Sequence, residues 1–201
     1  MADGITGWAP AGAWDDHIPV GRIGRADGPA GLVLAPIESA TFATLQAAPG
    51  DTTALDDAIA AGFGQRLPPP RRMSQGPDLD LVWSGPDGWL AVGGSAAMPA
   101  RLAAAAGEHG TVVPAPGSRA LLRIGGARAR DTLAKGCPID LHDDVFPMGA
   151  AATTVIAHMG VQVWRPSADE FRLAVSRSYA GSLWSWLRAS GAEYGIDVRA
   201  V

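Results

Sequence analysis

The residues of this chain that could do chemistry fall into four small groups. Asp140, His142, Asp143 and Asp144 form a polar cluster of the residue types that hold metal ions. Their Asp-Leu-His-Asp-Asp order matches no ligand spacing and no second segment supplies further donors, so a solvated loop is expected. Cys137 is the one cysteine, which excludes an internal disulfide and any cysteine-rich metal or iron–sulfur site. Standing just past a helix end without a neighbouring histidine, it reads as a small buried hydrophobe rather than a nucleophile. Gly125-Gly126 follows a strand and opens a helix, with Arg128 and Arg130 close behind, a place where free N–H groups can take a phosphate. The dinucleotide spacing and the P-loop lysine are missing, which favours a plain strand–helix break, as at the equivalent Pro49-Gly50. His17, His109 and His158 are scattered without an HExxH or triad companion, and His158 is expected within a strand. No catalytic, cofactor-binding or metal-ligating set emerges.

The elements that must position these residues run, over 119–194, as strand, helix, three strands, helix. Residues 121–124, 153–158, 161–164 and 170–175 carry strand patterning. Residues 127–135 turn helical before Gly136 and Pro138, and 178–190 form an amphipathic helix ended by Gly191. Upstream, 31–37 and 41–47 read as strands. Asp51-Thr52-Thr53 caps a helix that ends at Gly62 and Gly64. Residues 65–77 form a Pro/Arg loop whose triple proline at 68–70 is a stiff spacer. A hairpin at 80–83 and 88–92, a helix at 97–107 and a strand at 111–113 follow. Helices on one face of a largely antiparallel sheet make an α+β layout.

The chain also repeats itself. The segment Val82-Trp83 to Val92 matches Val163-Trp164 to Val175, residues 57–62 match 131–136, and the offset grows from 74 residues to 85. The second copy is therefore longer, by a loop near 142–150. The expected architecture is two similar ferredoxin-like β-α-β-β-α units packed as one integrated domain: an extended tail at 1–30, a first unit at 31–116 and a second at 117–201.

Composition sets the outer limits. A chain of 201 residues, 47% hydrophobic and 18% charged, is long enough for one sizeable core. Net charge is −4, which argues against a nucleic-acid or anionic-membrane surface. Residues 1–118 hold twelve acidic and six basic side chains, and 119–201 hold eight and ten. An N-terminus with early acids and no apolar core is not a signal peptide, and no run approaches a membrane span, so a cytoplasmic protein is expected. Trp8 and Trp14 lie in the Gly/Pro-rich tail, where indoles either fold back on the body or dock on another subunit. On the last helix, Tyr179, Leu183, Trp186, Leu187 and Ser190 share a face, which leaves Trp184 on the flank. Trp8, Trp14 and Trp184 are the expected partner-interface residues.

The ordered string Gly136-Cys137-Pro138-Ile139-Asp140-Leu141, Phe146-Pro147, Gly149, Thr153-Thr154, Val161-Gln162-Val163 with Arg165, Ser176-Arg177-Ser178-Tyr179 and Ser182-Leu183-Trp184 resembles the gamma subunit of heterotetrameric sarcosine oxidase. The likeness extends more weakly back to about Gly31. It implies the folate-binding fold of the aminomethyltransferases, and a complex that demethylates sarcosine to glycine with hydrogen peroxide and one-carbon transfer to tetrahydrofolate. FAD, FMN, NAD and zinc would then belong to other subunits, with the alpha subunit the main partner beside beta and delta. This chain would be a non-catalytic assembly subunit. Folate-dependent aminomethyltransferases place an acid after the turn matched here to Met159-Gly160, whereas this chain has Val161-Gln162-Val163. Lys135-Gly136-Cys137 is similar to the cysteine motif of folate-binding proteins of iron–sulfur assembly, but it continues Pro-Ile-Asp instead of an aromatic and Gly-Gln-Glu. The alternatives are an independent folate-dependent aminomethyltransferase-like protein and a gamma subunit of a related N-methyl amine dehydrogenase.

Overall fold

Period-two patterning gives each strand two faces, and in the central strands the fold buries both. The computed structural model describes residues 12–14 and 18–200. It opens with β1 (Gly21–Ile23) and β2 (Leu32–Ile37). Next come β3 (Thr41–Ala47), α1 (Thr52–Phe63), β4 (Met73–Gln75), β5 (Leu79–Gly85), β6 (Gly88–Gly93), α2 (Met98–Ala106) and β7 (Gly110–Pro114). The same path then recurs as β8 (Arg119–Gly125), α3 (Ala129–Ala134), β9 (Ala151–Ile156), β10 (Met159–Ser167), β11 (Glu170–Ser176), α4 (Ala180–Gly191) and β12 (Ile196–Val198). The first pass makes a five-stranded sheet ordered β4-β5-β6-β3-β7, and the second a seven-stranded sheet ordered β1-β12-β2-β8-β11-β10-β9.

Three apolar clusters fix the layering. Leu122, Ile124, Val161, Val163 and Leu173 of the larger sheet pack on Leu133, Leu183 and Leu187 of its helices. Leu45, Leu81 and Ala91 of the smaller sheet pack on Leu55, Ile59 and Leu102 of α1 and α2. The opposite faces meet each other through Phe42, Val82 and Leu90 on one side and Leu121, Trp164 and Ala174 on the other. Helices thus lie outside two stacked sheets, an α+β architecture whose middle layer is sheet on sheet.

Several details depart from the sequence expectation. Residues 32–37, grouped with the first unit, pair in the larger sheet: Leu34 opposes Ile124 of β8, and β12 runs parallel on the other side. Apolar alternation shows that a strand exists, not which edge it joins. The Pro/Arg loop contains β4, which is paired with β5. The β9–β10 turn lies at Ala157 and His158, with φ of 47° and 70°, two residues before the expected Met159-Gly160 turn. Two positive-φ residues suit the twist of a two-residue hairpin. Each hairpin carries a bulge close to its turn, after Trp83 in one and after Trp164 in the other. Val82 and Trp164 face the sheet interface while Trp83 and Val163 face helices, so the Val-Trp pairs matched in sequence point oppositely.

Candidate functional site

Each group marked out for chemistry has a structural employment. Gly126, at φ 97°, turns the chain against residue 31, and a Cβ on it would sit 2.5 Å from the Gly31 carbonyl oxygen. The N–H groups that would face a phosphate are taken: Arg128 donates to Gly31 O at 2.9 Å and Ala129 to Gly126 O at 3.0 Å. Arg128 pairs with Asp131 at 2.7 Å beneath the Tyr194 ring, and Arg130 with Asp143 at 2.5 Å. The turn is a strand–helix break that lets β2 pass.

The Asp-Leu-His-Asp-Asp cluster caps a loop. Asp140 accepts from the His142 N–H at 2.8 Å, and Asp143 accepts from both Arg130 and Arg165. The hydrogen bond from Arg165, with the charges of both arginines, holds the Asp143 carboxyl below the ordinary range. Arg165 itself is buried, donates to the carbonyls of Phe146 at 3.0 Å and Ala168 at 2.5 Å, and lies over the Phe171 ring. The result is a clamp holding the 140–149 loop to the larger sheet. Among the described residues, no group of three His, Cys, Asp or Glu is placed to hold a metal ion. Cys137 is buried, which pushes its thiol up and keeps it protonated and unreactive. His109 lies 3.3 Å from Asp51 at the start of α1, and His158 is exposed in the turn rather than set in a strand. His17 and Trp8 lie outside the described residues.

The tryptophans stand differently from the expectation. Trp14 is 2% exposed, its indole donates to Leu121 O at 2.9 Å, and the Glu38 carboxylate accepts from the Ala13 and Trp14 N–H groups. Trp184 is 6% exposed and packs within the larger sheet's core, while Trp186 is the half-buried indole, lying against Gly136. A 3-10 turn at Arg177–Tyr179 precedes α4, whose buried stripe is Ala180, Leu183, Trp184, Leu187 and Gly191, centred on the Trp184 side of Leu183. Both Trp14 and Trp184 are thus held by the chain's own core instead of standing on its surface.

The most site-like geometry lies between the sheets. Asp80 of β5 meets Arg172 of β11 at 2.6 Å, Arg172 meets Glu170 at 2.9 Å, and Glu170 meets Arg123 of β8 at 2.9 Å. This ladder edges a crevice of about 290 Å³ with Ile37 and Leu121. Burial pushes the Asp80 carboxyl up, against the pull of Arg172. Beside it, Gln162 donates to Trp83 O at 3.0 Å and accepts from the Thr153 hydroxyl at 2.6 Å. Each carboxylate has an arginine partner, so the arrangement fastens one sheet to the other and fixes their register. Motif reasoning misses Asp80, Arg123, Glu170 and Arg172. Their one signal is a charge or amide inside an apolar strand, as in Leu79-Asp80-Leu81-Val82 and Phe171-Arg172-Leu173.

A duplicated α+β body, with helices outside two stacked sheets, defines the class by its fold. The fold itself is that of the aminomethyltransferase T of the glycine cleavage system from Bartonella henselae, with a TM-score of 0.62 at 18% identity over 86% of this chain and 48% of that one. Residues 47–193 match the model of the sarcosine oxidase, gamma subunit family. The gamma subunit of sarcosine oxidase from Corynebacterium sp. (strain P-1) is 32% identical over 82% of both chains, and that of Arthrobacter sp. 33% over 67% of both. A chain of the heterotetrameric sarcosine oxidase from Corynebacterium sp. U-96 in complex with pyrrole 2-carboxylate superposes with a TM-score of 0.73 at 29% identity, covering 81% of this chain and 85% of that one. The chain belongs to the sarcosine oxidase gamma subunit family.

Proposed function

We propose that this chain, as the gamma subunit of a heterotetrameric sarcosine oxidase, is a structural subunit that supports assembly beside the large alpha subunit, with beta and delta completing the complex in the cytoplasm. Oxidative demethylation of sarcosine, hydrogen peroxide formation and one-carbon transfer to tetrahydrofolate belong to the other subunits, which carry FAD, FMN, NAD and zinc. Family membership supports the subunit role. One observation carries the non-catalytic part. At the segment matched to the pterin-binding acid of the aminomethyltransferases, Val161 and Val163 are buried under the helices and the Gln162 amide is tied to Trp83 and Thr153. No carboxylate stands there, so the residues present do not fit a pterin.

Calorimetric titration with tetrahydrofolate tests this reading, run on the isolated chain and on the complex co-purified with the alpha subunit. The expected result is binding by the complex alone. A lone chain that binds tetrahydrofolate and does not co-purify with the alpha subunit would overturn it.

A further inference from the structure

The connections that follow the first helix of each unit meet at one spot. Residues 64–72 link α1 to β4, and the longer 135–150 link α3 to β9. Main-chain hydrogen bonds join them: Met73 donates to Gly149 O at 2.8 Å and Ala151 to Arg71 O at 2.9 Å, with Arg72 and Ala150 in an antiparallel bridge. Within the first connection, the Arg72 N–H closes a turn on Pro69 O at 3.1 Å, with Pro70 second and Arg71 third at φ 63°. A turn of this type favours glycine at its third position, so an arginine there is strained and is held only because the second connection pins its carbonyl.

The turn presents two side chains rigidly. Arg71 and Arg72 are both exposed, and neither side chain makes an ion pair or hydrogen bond among the described residues. The longer connection sets Val145, 48% exposed, in the same hollow as the two arginines, and Met148, 64% exposed, follows Pro147 of that hollow in the chain. Pro70, Arg71, Arg72, Val145, Phe146 and Pro147 line a hollow of about 240 Å³ with no carboxylate in its wall. Of the acids in this loop, Asp143 is held by Arg130 and Arg165, and Asp144 faces His142 at 3.4 Å. Two unpaired cations beside apolar side chains, in a chain of net charge −4, make a surface complementary to acid. By contrast, the exposed edge at β7 is blunted by Pro114, which has no N–H to donate.

We propose that this patch receives an acidic segment of the large subunit. Carboxylates of that segment pair with Arg71 and Arg72, and its apolar residues cover Val145 and Met148. The inference rests on the subunit reading above and names the surface through which it operates. Charges at such a rim govern encounter rate and salt dependence, whereas buried apolar contacts govern lifetime.

The test is the affinity of the purified chain for the large subunit across a salt series, with the variants Arg71→Glu/Arg72→Glu, Met148→Asp and Arg71→Gly. Wild type should weaken as salt rises. The double reversal should bind on the order of a hundredfold more weakly at low salt and lose most of that salt dependence. Met148→Asp should weaken binding at every salt concentration. Arg71→Gly removes a charge while giving the turn its preferred residue, so it should keep or raise the melting temperature and still weaken binding. Variants that fold and bind like wild type, with the same salt slope, would overturn the docking surface and leave the subunit role standing. A wild-type chain that does not bind the large subunit at all would overturn both.

Discussion

The two units trace one path, yet the first closes on itself and the second is parted to admit other strands. In the smaller sheet β3 pairs directly with β7, whereas in the larger one β2 stands between β8 and β12, with β1 beyond. The strand–helix turns show how. Gly50 and Gly126 both have positive φ, but only Gly126 has backbone pressed against it, at Gly31. Trp14 and the strands β1 and β2 are therefore stitched into the second unit, and the first keeps the simpler repeat. A duplicated fold can take in extra chain where a turn leaves room for another backbone to pass.

That contrast predicts a graded set of effects on stability. Trp164→Ala strikes the layer both sheets share and should cost about 3–5 kcal/mol. Trp83→Ala, on the opposite face and half-exposed, should cost clearly less. Urea titrations of the two variants, read from midpoints at constant slope, check this; equal losses would mean that the register difference has no energetic consequence. Trp14→Ala removes the pin between the first described residues and β8, and should cost about 3 kcal/mol in the same assay. A loss within error of zero would show that the stitched segment is an ornament on the second unit. Gly126→Ala should cost about 2 kcal/mol, from positive φ plus the clash with Gly31 O, and Gly50→Ala about 1 kcal/mol from φ alone. Matching values would erase the distinction between the two turns.

The smallest effect is a pH dependence. Burial raises the Asp80 carboxyl above its ordinary 3.8, so folding favours its neutral form, while Arg172 favours the anion. A raised carboxyl contributes most below pH 3.8, and that contribution is lost as pH climbs through the raised value. Stability of the wild type relative to Asp80→Asn should fall with pH across that window, in paired melts from pH 3 to 7. A relative stability that rises instead would mean that Arg172 outweighs burial.

The sequence makes local structure legible and leaves long-range partnership obscure. The hairpins around 84–87 and 165–169 and both central helices follow from apolar period and turn residues, which act over a few positions. The exchange of residues 32–37 into the far sheet does not, because Val33 finds Gly125 across ninety residues of chain that patterning cannot order. The opposed tryptophans are hidden for a smaller reason: Trp164 occupies the place of Val82, opposite Arg172 as Val82 is opposite Leu90, and a slip of one residue reverses a side chain's face. Trp184 is misphased because Leu183 stands at the edge of the buried stripe and not at its centre, so the stripe of Ala180, Leu183, Trp184, Leu187 and Gly191 takes in Trp184 and leaves Trp186 outside. The charged ladder leaves only isolated polar letters inside apolar runs. Arg71 leaves a subtler one, an arginine after proline at a turn position that suits glycine.

The central claim, that this chain is a structural gamma subunit, is tested most directly by mass. The chain is purified alone and after co-expression with the alpha subunit, and each preparation is weighed by size exclusion with light scattering. A stoichiometric complex that forms with wild type and falls apart with Arg71→Glu/Arg72→Glu is the predicted result. A stable monomer in both preparations would contradict the account.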